Sequence, residues 1–233
     1  MRLPRHDTLV SLPAEPPRTA IAADEALLDS PLSQVRLWLP SQPAVVVGLA
    51  LHHRLGSVVD VERCNAAGVE VVERRAGGGA LLLDESVVCG AICLPATPDV
   101  TESYRWLGEA LAMALDARRV EVAEARQDVA NLRARNDEVS RVLLDTCYGA
   151  LSPHEVVIGH QKVVGLAQIR RRDRALFQFG VLLRDQSLLA DYLLVHGERE
   201  QLRHQLAQRT TGLRGRSASA VAAAIADAMP SAP

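Results

Sequence analysis

A chain of 233 residues with 48% hydrophobic and 23% charged residues has the make-up of a soluble globular protein, and at this length roughly 70% of the unfolded surface leaves water on folding. A formal net charge of −2 argues against a broad nucleic-acid footprint. No apolar run reaches the ~20 residues that a membrane-spanning helix needs.

The first sixteen residues are polar and proline-rich and read as an arm with one short strand. Met1–Asp7 is followed by no apolar segment, so a secretory signal is not expected and the protein is read as cytoplasmic. Residues 17–233 read as a single domain. Thr19 to Asp29 is predicted to be an amphipathic helix, with Pro17 as a breaker before it and Pro31 after it. Strands are predicted at Val35–Leu39 and Ala44–Gly48, and a short helix at Asp60–Ala67, capped by Asp60 and stopped at Gly68. Val69–Glu73, Leu81–Leu83 and Val87–Leu94 read as strands, the last two joined by a turn at Asp84-Glu85-Ser86. A helix is predicted from its cap at Thr101 to about Arg118. Val120–Ala123 reads as an edge strand, and the arginine-rich stretch 125–146 as a loop or small helix. His154–Ile158, Lys162–Arg171 and Ala175–Leu183 read as strands, the last two joined by a turn at Arg172-Asp173-Arg174. Helical periodicity returns at Ser187–Val195 and Ser217–Ala228. The order predicts one α+β domain whose strands pair first in meanders.

Four cysteines are widely spaced, and Cys89 and Cys93 sit in an apolar strand with no second Cys/His pair nearby. No zinc site is expected, and four free thiols are the default of a reducing compartment. A thiol in polar, basic surroundings would stand out among them.

Lys162 is the only lysine, against 25 arginines. An ammonium is a compact point charge and a guanidinium a wide planar fork, so a lone lysine marks a place arginine cannot fill, or a chance of composition.

Three stretches carry chemistry. Arg74-Arg75-Ala76-Gly77-Gly78-Gly79-Ala80 lies between two strands. Its glycines let backbone N–H groups approach a ligand, and with the two arginines they suit an oxyanion, carboxylate or phosphate. A flexible hairpin turn with solvated arginines is the plainer reading. It is not a Walker loop, since no Gly-Lys-Ser/Thr follows.

Cys147 lies in the polar turn Asp145-Thr146-Cys147-Tyr148-Gly149, fifteen residues before Lys162. A cysteine nucleophile needs a positive charge beside it, and an acyl carbonyl needs a donor where its oxyanion develops. Lys162 meets both needs if the intervening strand folds back. Otherwise the two are surface groups that never meet. The run Arg170-Arg171-Arg172 with Arg174 reads as a solvated hairpin tip or a docking patch for an acidic partner.

These residues resemble a known family. Residues 74–80 are similar to the Arg-Arg-x-(Ser/Thr)-Gly-Gly-(Gly/Arg)-Ala signature of the lipoate-protein ligase A and octanoyltransferase family. Gly159-His160-Gln161-Lys162-Val163-Val164-Gly165-Leu166-Ala167-Gln168 is similar to its Gly-x-(Arg/Lys)-Lys-(Ile/Val)-x-Gly-x-(Ala/Ser)-Gln element. The Thr19–Asp29 helix, the Trp38 strand and Asn136-Asp137 follow the family's order, over roughly residues 18–215.

The resemblance implies a class II synthetase-like biotinyl/lipoyl ligase fold, a mixed sheet packed with helices. It implies an enzyme of protein lipoylation, with Arg74, Arg75, Gly77, Gly78, Gly79, Ala80, Gly165, Ala167 and Gln168 binding the acyl substrate. Lys162 would hold the acyl carbonyl or carboxylate. Cysteine-dependent transferases of the family place a thioester-forming cysteine shortly before the lysine element, in a pattern like Cys-Phe-x-x-x-x-x-x-Glu. Cys147-Tyr148 with Glu155 is similar to it, which makes Cys147 and Lys162 the catalytic pair. The acyl group would come from an acyl carrier or lipoyl-carrying protein. It would go to the lysine of a lipoyl domain, such as a glycine cleavage H protein or a 2-oxoacid dehydrogenase subunit. No nucleic acid and no membrane is expected as partner, and no cofactor or metal is expected.

The chain departs from the family at Gly77, where Ser or Thr is usual, and at Leu83-Asp84, where His-Asp is common. A Gly-Asn-Leu-Asn segment is replaced by Glu85-Ser86-Val87-Val88-Cys89. No accessory C-terminal domain is expected. ATP-dependent lipoate ligation, with ATP and Mg, is the alternative. A non-catalytic acyl-binding protein is a third reading.

Overall fold

In the computed structural model, which describes residues 11–30, 35–96, 99–171 and 173–229, the strands are Ala14–Glu15 (β1), Val35–Pro40 (β2), Ala44–Val47 (β3), Glu70–Glu73 (β4), Ala80–Leu83 (β5), Val87–Pro95 (β6), Arg118–Arg119 (β7), Val156–Ile158 (β8), Gln161–Arg170 (β9) and Arg174–Leu182 (β10). The helices are Pro17–Ala26 (α1), Leu55–Val58 (α2), Val61–Ala66 (α3), Val100–Ser103 (α4), Arg105–Leu115 (α5), Val122–Arg135 (α6), Glu138–Leu144 (α7), Arg199–Arg209 (α8) and Ala218–Ala228 (α9), with 3-10 turns at Leu27–Asp29, Leu49–Arg54 and Ser187–Tyr192. The first ten residues of the expected arm, the Pro31 breaker and Arg172 lie outside the described residues.

The larger sheet runs β1-β2-β6-β10-β9-β8-β7 and the smaller one β4-β3-β5. β6 and β10 are buried on both faces, which is why they read as continuous apolar runs rather than as alternation. One face packs Ile92, Phe177 and Phe179 against Leu107 and Leu111 of α5 and Val221 and Ile225 of α9. The other packs Ala91, Cys93 and Leu176 against Leu27 and Leu28. The small sheet divides two cores. Val46, Leu81 and Leu83 face the first, while Val45, Val47 and Leu82 join Leu132, Val139, Leu143, Leu202 and Leu206 from α6, α7 and α8 in the second.

Several expected boundaries move. The expected meander holds on one side of the sheet, where β7, β8, β9 and β10 are antiparallel neighbours in sequence order; on the other, β6 lies between β2 and β10, so distant segments meet at the sheet centre. Pro17 is the first helical residue rather than a breaker, a position where its missing N–H costs nothing. The helix expected from Thr101 is capped by Asp99, which accepts from Thr101 N at 2.7 Å and Glu102 N at 3.0 Å. It is split into α4 and α5, and it ends in left-handed Asp116, φ 54°.

The edge strand lies at Arg118–Arg119, before the expected Val120–Ala123. Residues 125–146 are mostly helical: α6 spans 14 residues and α7 another seven. Only Ala125 and Leu132 of α6 are buried. It is built from good helix formers and lacks the apolar stripe that betrays a helix in sequence. The Ser187–Val195 helix is a 3-10 turn over Ser187–Tyr192.

Candidate active site

The glycine loop links β4 to β5, and the Cys147 turn links α7 to β8; the two are stitched together. Ala80 N donates to Asp145 O and Cys147 N donates to Ala80 O, each at 2.8 Å. The glycines make this approach possible. A Cβ on Gly79 would stand 2.1 Å from Asp145 O, and one on Gly48, at the end of β3, 2.2 Å from Gly78 O. Gly78 itself adopts φ +104°, which an L side chain rarely tolerates.

Cys147 is half-buried, while Cys64, Cys89 and Cys93 are buried. Burial pushes the Cys89 thiol well up, as befits an inert core group. The Cys147 sulfur has polar neighbours instead. Arg74 Nη2 donates to Sγ at 3.3 Å, and Sγ donates to Gly79 O at 3.1 Å. Arg74 Nη2 also donates to Gly77 O at 3.0 Å, whereas Arg74 Nε is buried without a partner. A cavity of about 480 Å³ opens beside the sulfur, lined by Arg74, Gly78, Gly79, Cys147, Gly165 and Ala167 among others.

Lys162 is buried completely. Its Nζ donates to Cys147 O, and to Ala150 O at 3.1 Å. It lies 2.5 Å from Glu155 Oε2, and 5.2 Å from the centre of the Tyr148 ring. An ammonium has three hydrogens, and these three oxygens account for them. Glu155 also accepts from Ser152 N at 2.7 Å and Leu166 N at 3.3 Å. Burial pushes its carboxyl up, and the Lys162 ammonium pulls it back down.

A slip in the strand register aims the lysine. Val156 faces Val164 but Val157 faces Lys162, so β9 carries one extra residue there. Lys162 and Gly165, three apart, therefore both meet the Tyr148 ring, which regular alternation would forbid.

Tyr148 forms the floor. Its Oη donates to Gly180 O at 2.7 Å and accepts from Gly165 N at 3.3 Å. Gly165 and Gly180 are register partners across β9 and β10. A Cβ on Gly165 would stand 3.0 Å from Tyr148 Cζ, and one on Gly180 2.8 Å from Oη.

The structure thus brings Arg74, Gly78, Gly79, Cys147, Gly165 and Ala167 to one cavity, with Lys162 beneath the Cys147 turn. Ala80 is buried under the loop. Arg75 points away: its N–H donates to Glu25 Oε1 at 2.8 Å and its side chain is 58% exposed. Gln168 Nε2 donates to Val100 O and Ser103 Oγ, both at 3.2 Å, tying β9 to α4. Gly77 and Gln168 are not among the described residues that line the cavity. Sequence reasoning missed Tyr148, Gly48 and Gly180 as site-forming residues. The signal was present, since a lone glycine inside an apolar strand marks a close approach. Among the described residues no group of three or more His, Cys, Asp or Glu side chains is placed to hold a metal ion.

A family model, the lipoyl protein ligase A/B catalytic domain, matches residues 16–219. The chain belongs to this family. Relatives of this catalytic domain include an octanoyltransferase LipM of Clostridioides difficile, 25% identical over 197 residues (79% of this chain, 68% of that protein). That of Kyrpidia tusciae is 30% identical over 182 residues (73% and 61%), and that of Exiguobacterium sibiricum 28% over 224 residues (87% and 77%). The chain thus spans 61% to 77% of the length of these relatives.

Among solved structures, a bipartite lipoate protein ligase with its E2 lipoyl domain from Thermoplasma acidophilum superposes with a TM-score of 0.71 at 18% identity, covering 93% of this chain and 80% of that one. A lipoate-protein ligase A bound with ATP gives 0.66 at 20%, covering 93% and 80%. These likenesses bear on the fold, which is the expected mixed α+β ligase-type catalytic domain. The sequence relatives are transferases of octanoyl groups, and the structural neighbours are ligases of lipoate.

Proposed function

We propose that this domain is an octanoyl or lipoyl transferase that carries the acyl group on Cys147. The observation that carries the reading is the setting of that sulfur. It is the half-buried cysteine, it stands at the cavity between the glycine loop and β9, and a guanidinium donates to it.

In the first step Cys147 Sγ attacks the carbonyl carbon of an acyl thioester on a carrier protein. The new Sγ–acyl bond forms, the bond to the carrier sulfur breaks, and the proton given up by Cys147 ends on the carrier thiol. In the second step the neutral ε-amine of a lipoyl-domain lysine attacks the same carbonyl. The amide C–N bond forms, the Sγ–acyl bond breaks, and a proton from the amine passes to the departing sulfur. Both steps are group transfers without redox change, and covalent catalysis divides the reaction into two easier parts.

Gly78, Gly79, Gly165 and Ala167 leave room for the chain, and Lys162 holds the carbonyl end of Cys147 so that the turn presents the sulfur. The lipoyl-domain acceptor is inferred from the archaeal ligase solved with such a domain, and the octanoyl donor from the relatives' activity.

The second reading, ATP-dependent lipoate ligation, is favoured by the likeness to a ligase bound with ATP. One experiment separates them. Octanoyl-carrier protein and a lipoyl domain are incubated with the enzyme without ATP, and the mass of the lipoyl domain is followed. Octanoylation of the domain is expected. Modification that requires ATP and free lipoate would replace this reading with ligation, and no modification under either condition would favour an acyl-binding protein without chemistry.

A further inference from the structure

We propose that the outer face of α6 is the docking surface for the protein that delivers the acyl group, and that this donor meets it with acidic side chains around its thioester arm. The proposal deepens the transferase reading and rests on it for the identity of the partner. It starts from a helix that the core does not explain. α6 spans 14 residues and buries only Ala125 and Leu132. A helix with so little apolar surface in the core has to be held by other contacts.

Its acids supply them. Glu124 accepts from Arg118 Nη1 at 2.7 Å and Nη2 at 2.9 Å, while Asp128 pairs with Arg209 and accepts from Leu151 N at 2.9 Å. Leu151 lines the cavity, so the second anchor fixes α6 to the segment just after Cys147. The arginines of the helix are placed the other way. Arg135 pairs with Asp137, but Arg126 and Arg133 are exposed and have no ion-pair or side-chain hydrogen-bond partner among the described residues. Seven residues apart, they stand on one face, about 10 Å apart along the axis, with Val129 between them. Val129 and Arg133 line the cavity that opens beside the Cys147 sulfur.

The charges nearby leave this pair uncompensated. Of the other ionisable groups of the cavity wall, Arg54 pairs with Asp145 and Glu155 with Lys162, while Arg74 is turned to Gly77 O and the sulfur. Glu121, just before α6, pairs with Arg119 at 2.7 Å, and Glu138, just after it, accepts from His196 N at 3.1 Å. Each carboxylate of the helix and of the cavity thus has a partner inside the fold. Two solvated guanidiniums beside a reactive cavity attract carboxylates and speed encounter with an acidic protein. The donor threads its acyl chain into the cavity while still attached to it, so its own surface has to rest on the rim. The acceptor reaches only a carbonyl already held at the sulfur. The arginine-rich hairpin tip at residues 170–174 has no described residue that lines the cavity, and its Arg171 is paired with Asp29.

The test compares full chains of the parent, Arg126→Gln, Arg133→Gln, the double variant and Arg135→Gln, since glutamine is a good helix former. Three donors are used: octanoyl-carrier protein, octanoyl-phosphopantetheine, and octanoyl-pantetheine, which has neither protein nor phosphate. The second-order rate of Cys147 acylation by the carrier should fall about threefold in each of the first two variants and about tenfold in the double. Raising salt to about 0.5 M should bring the parent down to the double variant, because screening removes the same attraction. Arg135→Gln should match the parent, and octanoyl-pantetheine should show a far smaller loss than the carrier.

No loss with the carrier overturns the proposal. So does an equal loss with octanoyl-pantetheine, which marks a damaged cavity. A loss with octanoyl-phosphopantetheine as large as with the carrier assigns the arginines to the phosphate of the arm and rejects the acidic face. Slowing confined to the later transfer to a lipoyl domain gives the surface to the acceptor and rejects the donor. If no donor acylates the parent, the transferase reading fails, and binding still decides the docking surface. Fluorescence anisotropy of labelled carrier protein with Cys147→Ala chains should then show about tenfold weaker and salt-insensitive binding when both arginines are glutamine. Equal affinity with and without the two arginines rejects the surface.

Discussion

Lys162 Nζ and Glu155 Oε2 stand 2.5 Å apart, with side chains only 1% and 3% exposed. Both charges have left water, and each is tolerable only because of the other. Removing one partner from such a pair costs about 3–5 kcal/mol, while replacing both by neutral groups of similar size costs far less. Urea unfolding should therefore show Lys162→Met strongly destabilised and Lys162→Met/Glu155→Gln largely restored. Lys162→Arg should lose transfer activity, because a guanidinium does not fit between Cys147 O, Ala150 O and the Tyr148 ring. Full activity in that variant would undo the account of the lone lysine.

The Tyr148 floor gives a second test. Adding a methyl group at Gly180 places a carbon 2.8 Å from Tyr148 Oη, so the ring has to move or the strands must part. Gly180→Ala is expected to lose about 1–3 kcal/mol of stability and to lower the transfer rate, since overpacking displaces the residue next to Cys147. Tyr148→Phe in the same chain removes the crowded oxygen and should recover part of the stability, read by thermal unfolding.

Gly79 and Gly77 should respond oppositely. Gly79→Ala drives a Cβ against Asp145 O at 2.1 Å and breaks the seam between loop and turn, while a Cβ at Gly77 meets nothing within 4 Å. Unfolding in denaturant should place Gly77→Ala within about 0.5 kcal/mol of the parent, as for a surface substitution. Gly79→Ala should be clearly destabilised. Equal effects would contradict the stitched geometry.

Residues whose local chemistry announces itself were legible in the sequence. The apolar runs of β6 and β10, the Asp60 cap, which accepts from Arg63 N at 3.0 Å, and the positive φ of Gly68 and Gly78 all follow from short-range rules. Cys147 stood out by its polar flanks, and Lys162 by being alone. The rest depends on contacts across long separations. The bond from Arg74 to Cys147 spans 73 residues, and no local pattern tells that Arg74 turns inward while Arg75 turns out. The role of Lys162 was read from its neighbours in sequence, but its partners are set by a one-residue slip between β8 and β9. The helix α6 escaped because a helix with two buried residues has almost no periodicity to read.

Asp24 makes the fold's stability pH-dependent away from the site. It accepts from Arg36 Nε at 3.0 Å and from Trp38 Nε1 at 3.1 Å, yet burial outweighs both and pushes its carboxyl up to about 6. The folded state thus holds a proton that the unfolded chain, with an ordinary carboxylate, has released. This group's contribution to stability is full in acid and is lost as pH rises through about 6, a swing of about 3 kcal/mol. Unfolding free energies measured between about pH 4 and 7 should show this slope in the parent and a flatter profile in Asp24→Asn. Identical slopes would show that the carboxyl titrates normally.

The central claim is that the acyl group rests on Cys147. The most direct measurement is the intact mass of the protein after exposure to octanoyl-carrier protein, with neither ATP nor a lipoyl domain present, followed by peptide mapping. The account predicts one added octanoyl group, on the peptide containing Cys147, absent in Cys147→Ala and removed when a lipoyl domain is added. An adduct that survives in Cys147→Ala, or a parent chain that stays unmodified while ATP and lipoate modify the lipoyl domain, would contradict it.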